Sequence, residues 1–272
     1  MRRPEVVVLA LLVALVGAGC SRVAFMKTEP GRKGFESTNE PVVVKESAEA
    51  RNRSNARNSL ALSEERLRTG DLPAAEKYAR QALKADPNSS GAYTMLAVIA
   101  DAQGQPAQAG QHYKRASELA PADGRMLNNY GTWLCKNGQA QASLDWFDRA
   151  VQAPGYGTPA AALANSGSCA LDVGDTVRAD RDLRQALAIT PENPVALAAL
   201  ARLQYRSGHY FEARAFSERR LAAAPADAEA LILASQIEDK LGDSAAAARY
   251  VRRLGEEFPG TAQGNVGGSK SP

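Results

Sequence analysis

Catalysis or metal binding needs nucleophiles, bases or ligands brought together, and this chain offers few candidates. Its two histidines, His112 and His209, lie too far apart along the sequence to share a metal. No H-E-x-x-H, G-x-x-x-x-G-K-[ST] or G-x-S-x-G motif occurs. Ser166-Gly167-Ser168 reads as a small-residue step that lets two helices approach, and the paired carboxylates Glu64-Glu65 and Glu256-Glu257 as solvated charge on helix faces. The aromatic group Trp133, Trp146 and Phe147 reads as core packing. The three cysteines, Cys20, Cys135 and Cys169, include no C-x-x-C pair. An enzyme is not expected, and neither is a cofactor, a metal or a small-molecule substrate.

The elements around these residues explain them better. Arg2 and Arg3 precede an apolar run from Val6 to Val16, and Gly17-Ala18-Gly19 leads directly into Cys20. The run is too short to span a bilayer and reads as a signal peptide over residues 1–19. A cysteine immediately after the small residues resembles the bacterial lipobox. That resemblance implies lipidation of Cys20, and Ser21 after it resembles lipoproteins sorted to the outer membrane. A plain secretory signal that happens to end in cysteine is the alternative. Export would place Cys135 and Cys169 in an oxidising compartment, where an even pair favours a disulfide. Residues 20–55, with Pro30, Gly31, Gly34 and Pro41, read as a lipidated tether, and 260–272 as a disordered tail. The net charge of +3 over 272 residues gives no warrant for nucleic-acid binding.

Between these ends lies a repeat. Gly70, Gly104, Gly138, Gly174, Gly208 and Gly242 are spaced 34, 34, 36, 34 and 34 residues apart. Five residues after each stands a small residue: Ala75, Ala109, Ser143, Ala179, Ala213 and Ala247. Seven further on are Ala82, Ala116, Ala150 and Ala186, then two exceptions, Arg220 and Leu254. Pro87, Pro121, Pro191, Pro225 and Pro259 close five of the six units. Each glycine suits a left-handed helix end, the small residues suit a close helix crossing, and proline stops the second helix. This pattern is the tetratricopeptide (TPR) signature. It predicts an all-α, right-handed superhelical solenoid of six helix-turn-helix repeats over 56–259, divided as 56–89, 90–123, 124–159, 160–193, 194–227 and 228–259. The third unit is two residues longer, an insertion read as tolerated loop variation.

Repeat three carries Leu127-Asn128-Asn129-Tyr130-Gly131-Thr132-Trp133-Leu134-Cys135, and repeat four carries Leu163-Ala164-Asn165-Ser166-Gly167-Ser168-Cys169. This pattern resembles the type IV pilus biogenesis/stability lipoproteins, the PilF/PilW pilotins. The resemblance implies an anchor on the periplasmic side of the outer membrane. It also implies a role in localisation and multimer assembly of the secretin, the ring through which the pilus exits. It makes sense of a Cys135–Cys169 bridge between neighbouring first helices, with two buried free thiols as the alternative. A TPR lipoprotein of another envelope machine, such as a β-barrel assembly accessory, is the rival scaffold.

Partners of TPR stacks bind along the first helices, at positions 2, 5, 9, 12 and 13 of each unit. The expected partner-binding residues are Leu60, Leu67, Val98, Asn128, Thr132, Arg202, Tyr205 and Arg206. Leu60, Leu67 and Val98 either line a groove for a secretin segment or pack beneath residues 47–55 folded back as a cap. Asn128 is expected to face the groove, and Asn129 to bond across to a neighbouring repeat. Arg202 and Arg206 form a basic ridge suited to an acidic partner or simply to solvent.

Overall fold

A computed structural model describes residues 47–262. The signal peptide, Cys20, most of the expected tether and most of the expected tail lie outside the described residues. Among the described residues there are twelve helices in six antiparallel pairs and a closing single turn, with no strand. The pairs are α1 (Ala48–Arg68) with α2 (Leu72–Ala85), α3 (Ser90–Ala102) with α4 (Pro106–Leu119), and α5 (Gly124–Lys136) with α6 (Ala140–Gln152). They continue as α7 (Pro159–Asp172) with α8 (Thr176–Ile189), α9 (Pro194–Arg206) with α10 (Tyr210–Ala223), and α11 (Ala228–Leu241) with α12 (Ser244–Glu257). The turn is α13 (Pro259–Ala262). Each helix packs on the one before it, so neighbouring pairs share their apolar faces in the manner of a TPR stack.

The boundaries follow from local chemistry. All six repeat glycines have φ between 71° and 82°, the left-handed conformation that ends the first helix of each pair without a Cβ penalty. Ser89, Asp123, Asn193 and Asp227 cap the first helices of repeats two, three, five and six, their side chains accepting from backbone N–H groups. Asp71, Asp175 and Asp243 do the same for second helices. The small residues are where the crossing needs them: Ala75, Ala109, Ser143, Ala179, Ala213 and Ala247 are all buried. A further small column runs through Ser63, Ala97, Gly131, Gly167, Ala201 and Ser235, every one buried against its partner helix.

The structure departs from the expected boundaries in two places. The first helix begins at Ala48, capped by the Ser47 side chain on the Ala50 amide, so 48–55 is neither tether nor a folded-back cap. These eight residues are mostly exposed and carry no apolar periodicity to announce a helix; the cap and the continuous ladder into α1 decide it. Repeat three also has its closing proline. Helix α6 has 13 residues where α2 has 14, so Pro154 stands one position earlier than the register expects. The inserted loop is packed: Tyr156 joins Trp146 and Val151 against the buried Leu127, Ala150 and Ala162.

Candidate partner-binding site

The junction between repeats three and four is closed by covalent, polar and apolar contacts. The Sγ atoms of Cys135 on α5 and Cys169 on α7 are bonded. One helical turn away, Asn165 Nδ2 donates to Asn128 Oδ1 at 3.0 Å and to Thr132 Oγ1 at 3.2 Å. The cross-repeat bond therefore falls to Asn128, and both Asn128 and Thr132 are engaged by the neighbouring repeat where a free groove was expected. On the second-helix side, the Arg178 guanidinium reaches from α8 to Asp148 Oδ1 at 2.7 Å and to the Leu144 carbonyl at 3.2 Å, both on α6. It also pairs at 3.3 Å with Asp182, which is 2% exposed and accepts from the Ser166 hydroxyl. A buried carboxylate is tolerable only with such a complement of donors.

The expected aromatic core divides. Phe147, on α6, is fully buried against Gly131 of α5 and in the cluster that includes Leu163 of α7. Trp133 instead lies over Gly110 of α4, where a Cβ would stand 2.2 Å from the indole, and its Nε1 donates to the Pro106 carbonyl. It ties repeat three to repeat two. Tyr130 stacks on Trp133 and meets Trp146 edge-on, and Arg149 lies 4.4 Å over the Trp146 ring.

At the N-terminal end, Leu67 packs into the core formed by Ala75, Ala79, Leu96 and Ile99. Position 12 of the first unit therefore points between helices. Leu60 is partly buried against Gly91 of α3, and Val98 is partly buried on the same helix. Leu67 is thus covered by the neighbouring helices and does not line an open groove.

An open site does exist, between α9 and α11. A cleft of about 640 Å³ separates the fifth and sixth first helices, within the size range of ligand pockets. Arg202, Tyr205 and Arg206 line it, as the register expects. Val195, Ala198, Ile232 and Leu233 form its apolar walls, and these were not anticipated. Extending the same positional rule to positions 2 and 5 of repeats five and six would have found Val195, Ala198 and Ile232. Arg202 Nη2 donates to Ser168 Oγ of α7 at 2.9 Å, which fixes that side chain toward the cleft. At the base, Arg220 is 8% exposed; it pairs with Asp227 at 2.6 Å and donates to the Ala224 and Pro225 carbonyls.

Among the described residues no group of three or more His, Cys, Asp or Glu side chains is placed to hold a metal ion, and no helix is long and apolar enough to cross a membrane. His209 Nδ1 lies 3.0 Å from Gln204 Oε1, while His112 Nε2 is buried without a partner. Burial holds the His112 imidazole below its ordinary pKa, with Arg80 adding to the effect.

Tetratricopeptide repeat family models match residues 60–124, 94–157 and 170–237. The chain is a tetratricopeptide repeat protein. This repeat protein is homologous to the type IV pilus assembly protein PilF of Pseudomonas aeruginosa, with 25% identity over 195 residues, covering 72% of this chain and 77% of that one. It is likewise similar to the crystal structure of PilW, a widely conserved type IV pilus biogenesis factor. There the TM-score is 0.70 at 28% identity, over 78% of this chain and 98% of the other. The structure of P. aeruginosa PilF matches with a TM-score of 0.68 at 23% identity, over 80% and 99% of the two chains, a likeness of fold.

Proposed function

We propose that this protein is an outer-membrane lipoprotein scaffold, anchored through Cys20 on the periplasmic side, that promotes localisation, multimer assembly and stability of the type IV pilus secretin. The observation that carries this reading is homology to PilF and PilW along most of the repeat array, which includes the bridged third and fourth repeats. The protein contributes binding energy and placement and turns nothing over. A stack with a pre-formed cleft suits that task, because a pre-formed surface loses little conformational entropy when a partner docks.

The test is deletion of the gene followed by electrophoresis of unheated membranes. Loss of secretin multimers and of twitching motility, both restored by the wild-type gene, is expected. Multimers and twitching that persist unchanged would remove the pilus assignment and leave the architecture intact. Complementation with Cys20→Ala tests the anchor: it is expected to leave the protein in the soluble periplasmic fraction and to mislocalise the secretin.

A further inference from the structure

The cleft between α9 and α11 has a chemistry more specific than a scaffold face requires. Its walls are apolar, from Val195 and Ala198 on one side and Ile232 and Leu233 on the other, and Arg202 and Arg206 stand four residues apart on α9. Arg178, Arg214 and Arg220 each pair with a carboxylate. Among the described residues the Arg202 side chain has only the Ser168 hydroxyl, and the Arg206 side chain makes no hydrogen bond or ion pair. Two guanidiniums on one face of a helix, unneutralised beside apolar walls, make a receptor for a carboxylate that arrives with apolar neighbours.

The cleft is also pre-formed. Position 27 of the first four units holds a fully buried alanine, but repeat five has Arg220. Its side chain fills the space between α10 and α11 and is locked to Asp227 and two carbonyls, so it serves as a floor and not as a free charge. Arg214 pairs with the buried Glu238 and holds α11 to α10 away from that floor. A volume of about 640 Å³ admits a few side chains and excludes a folded domain. Glu229 on α11 lies in the same cleft and opposes a run of phosphates far more than a single carboxylate held at the α9 arginines.

Resting on the scaffold reading above, we propose that this cleft takes a short apolar segment of a protein partner whose Asp or Glu side chain sits between Arg202 and Arg206. The occupant is thus an acidic-apolar peptide stretch, and the paired arginines set its register along α9.

The test uses the purified mature protein and an immobilised library of N-acetylated, C-amidated dodecapeptides randomised over Leu, Val, Phe, Asp, Glu, Gln, Lys and Ser. Binders are expected to carry one acidic position flanked by apolar ones. Replacing that position with Gln, or using the Arg202→Glu/Arg206→Glu protein, is expected to weaken binding about tenfold or more. Arg202→Lys/Arg206→Lys is expected to retain part of it. Arg206 is exposed and Arg202, half-buried, makes one hydrogen bond to Ser168, so thermal melts of the variants should stay close to wild type; a Leu233→Asp variant provides an independent block of the apolar wall. The proposal is overturned if no acidic position is selected, or if charge reversal and Leu233→Asp both leave binding unchanged. It is equally overturned if only peptides with a free C-terminus bind, or if the cleft variants abolish self-association of this chain instead. Full-length secretin, assayed in parallel, judges the scaffold reading alone: secretin bound equally by wild type and charge-reversed protein sinks the cleft and spares the scaffold, whereas library selection without secretin binding does the reverse.

Discussion

Two junctions of the same stack solve one packing problem in opposite ways. Between repeats three and four, α5 and α7 are joined by the Cys135–Cys169 bond and the Asn128–Asn165–Thr132 bridge, while Arg178 spans α6 and α8. Between repeats five and six, no such bond or polar bridge among the described residues joins α9 to α11, a cleft lies between them, and Arg220 occupies the position where the first four units have alanine. The first arrangement gives up binding surface for rigidity. The second keeps surface open and recovers stability through ion pairs at its base. A nearest-neighbour stack permits this, because each interface contributes separately.

The comparison breaks most sharply at Asp182. Its carboxylate is buried and receives Ser166, Arg178 and Arg181. Asp182→Ala leaves the largely buried Arg178 guanidinium with only the half-exposed Asp148 as counter-charge. Breaking a buried pair costs about 3–5 kcal/mol, and the retained Asp148 puts this case at the lower end of that range. Urea unfolding should show a loss of that order. A loss below about 1 kcal/mol would mean that the junction is held by its apolar and covalent contacts alone.

Removing the bridge comes next. The cysteines close a loop with a separation of 34 residues, for which the chain-entropy model gives about 3–4 kcal/mol. Cys135→Ser/Cys169→Ser is expected to lower the urea midpoint accordingly and to leave peptide binding at the α9–α11 cleft unaltered. Reduced binding there would mean that the two junctions are coupled.

What was legible in advance follows the same division. Turn glycines and crossing alanines announce themselves because sterics admit almost nothing else at those positions, so six pairs could be counted from their spacing. The face that carries Arg202, Tyr205 and Arg206 was also legible, since register alone assigns it. Which junction leaves a cleft was not, because that depends on what Arg220 meets seven residues on at Asp227 and four on at Ala224. Leu67 misled for a related reason: an apolar side chain on the partner face looks like a binding residue until the neighbouring helix is seen to cover it. Asn128 likewise needed Asn165, 37 residues away, to show that it serves the stack.

Arg220→Ala tests how the cleft stays open. The substitution removes a buried cation whose partner Asp227 is more than half exposed and is readily rehydrated. The expected cost is therefore smaller than at Asp182, about 1–2 kcal/mol. The sharper readout is hydrogen exchange. Amides of α11 should exchange faster, whereas those of α5 and α7 stay unchanged, and cleft affinity should fall although no proposed ligand contact was removed.

The smallest effect should bypass both junctions. Burial keeps the folded His112 pKa below the 6.5 of a free imidazole, so the unfolded chain takes up the proton first as pH falls. Folding is then favoured fully above about pH 6.5 and loses this contribution progressively below it. Between pH 7 and pH 5, exchange protection in α4 should fall more than protection around the bridge or the cleft. His112→Leu, which needs no partner for Nε2, should flatten that dependence in α4. If acid instead loosens α7 and α8 first while α4 holds, the locked junction is the pH-sensitive one, and its rigidity depends on ionised carboxylates more than on its covalent bond.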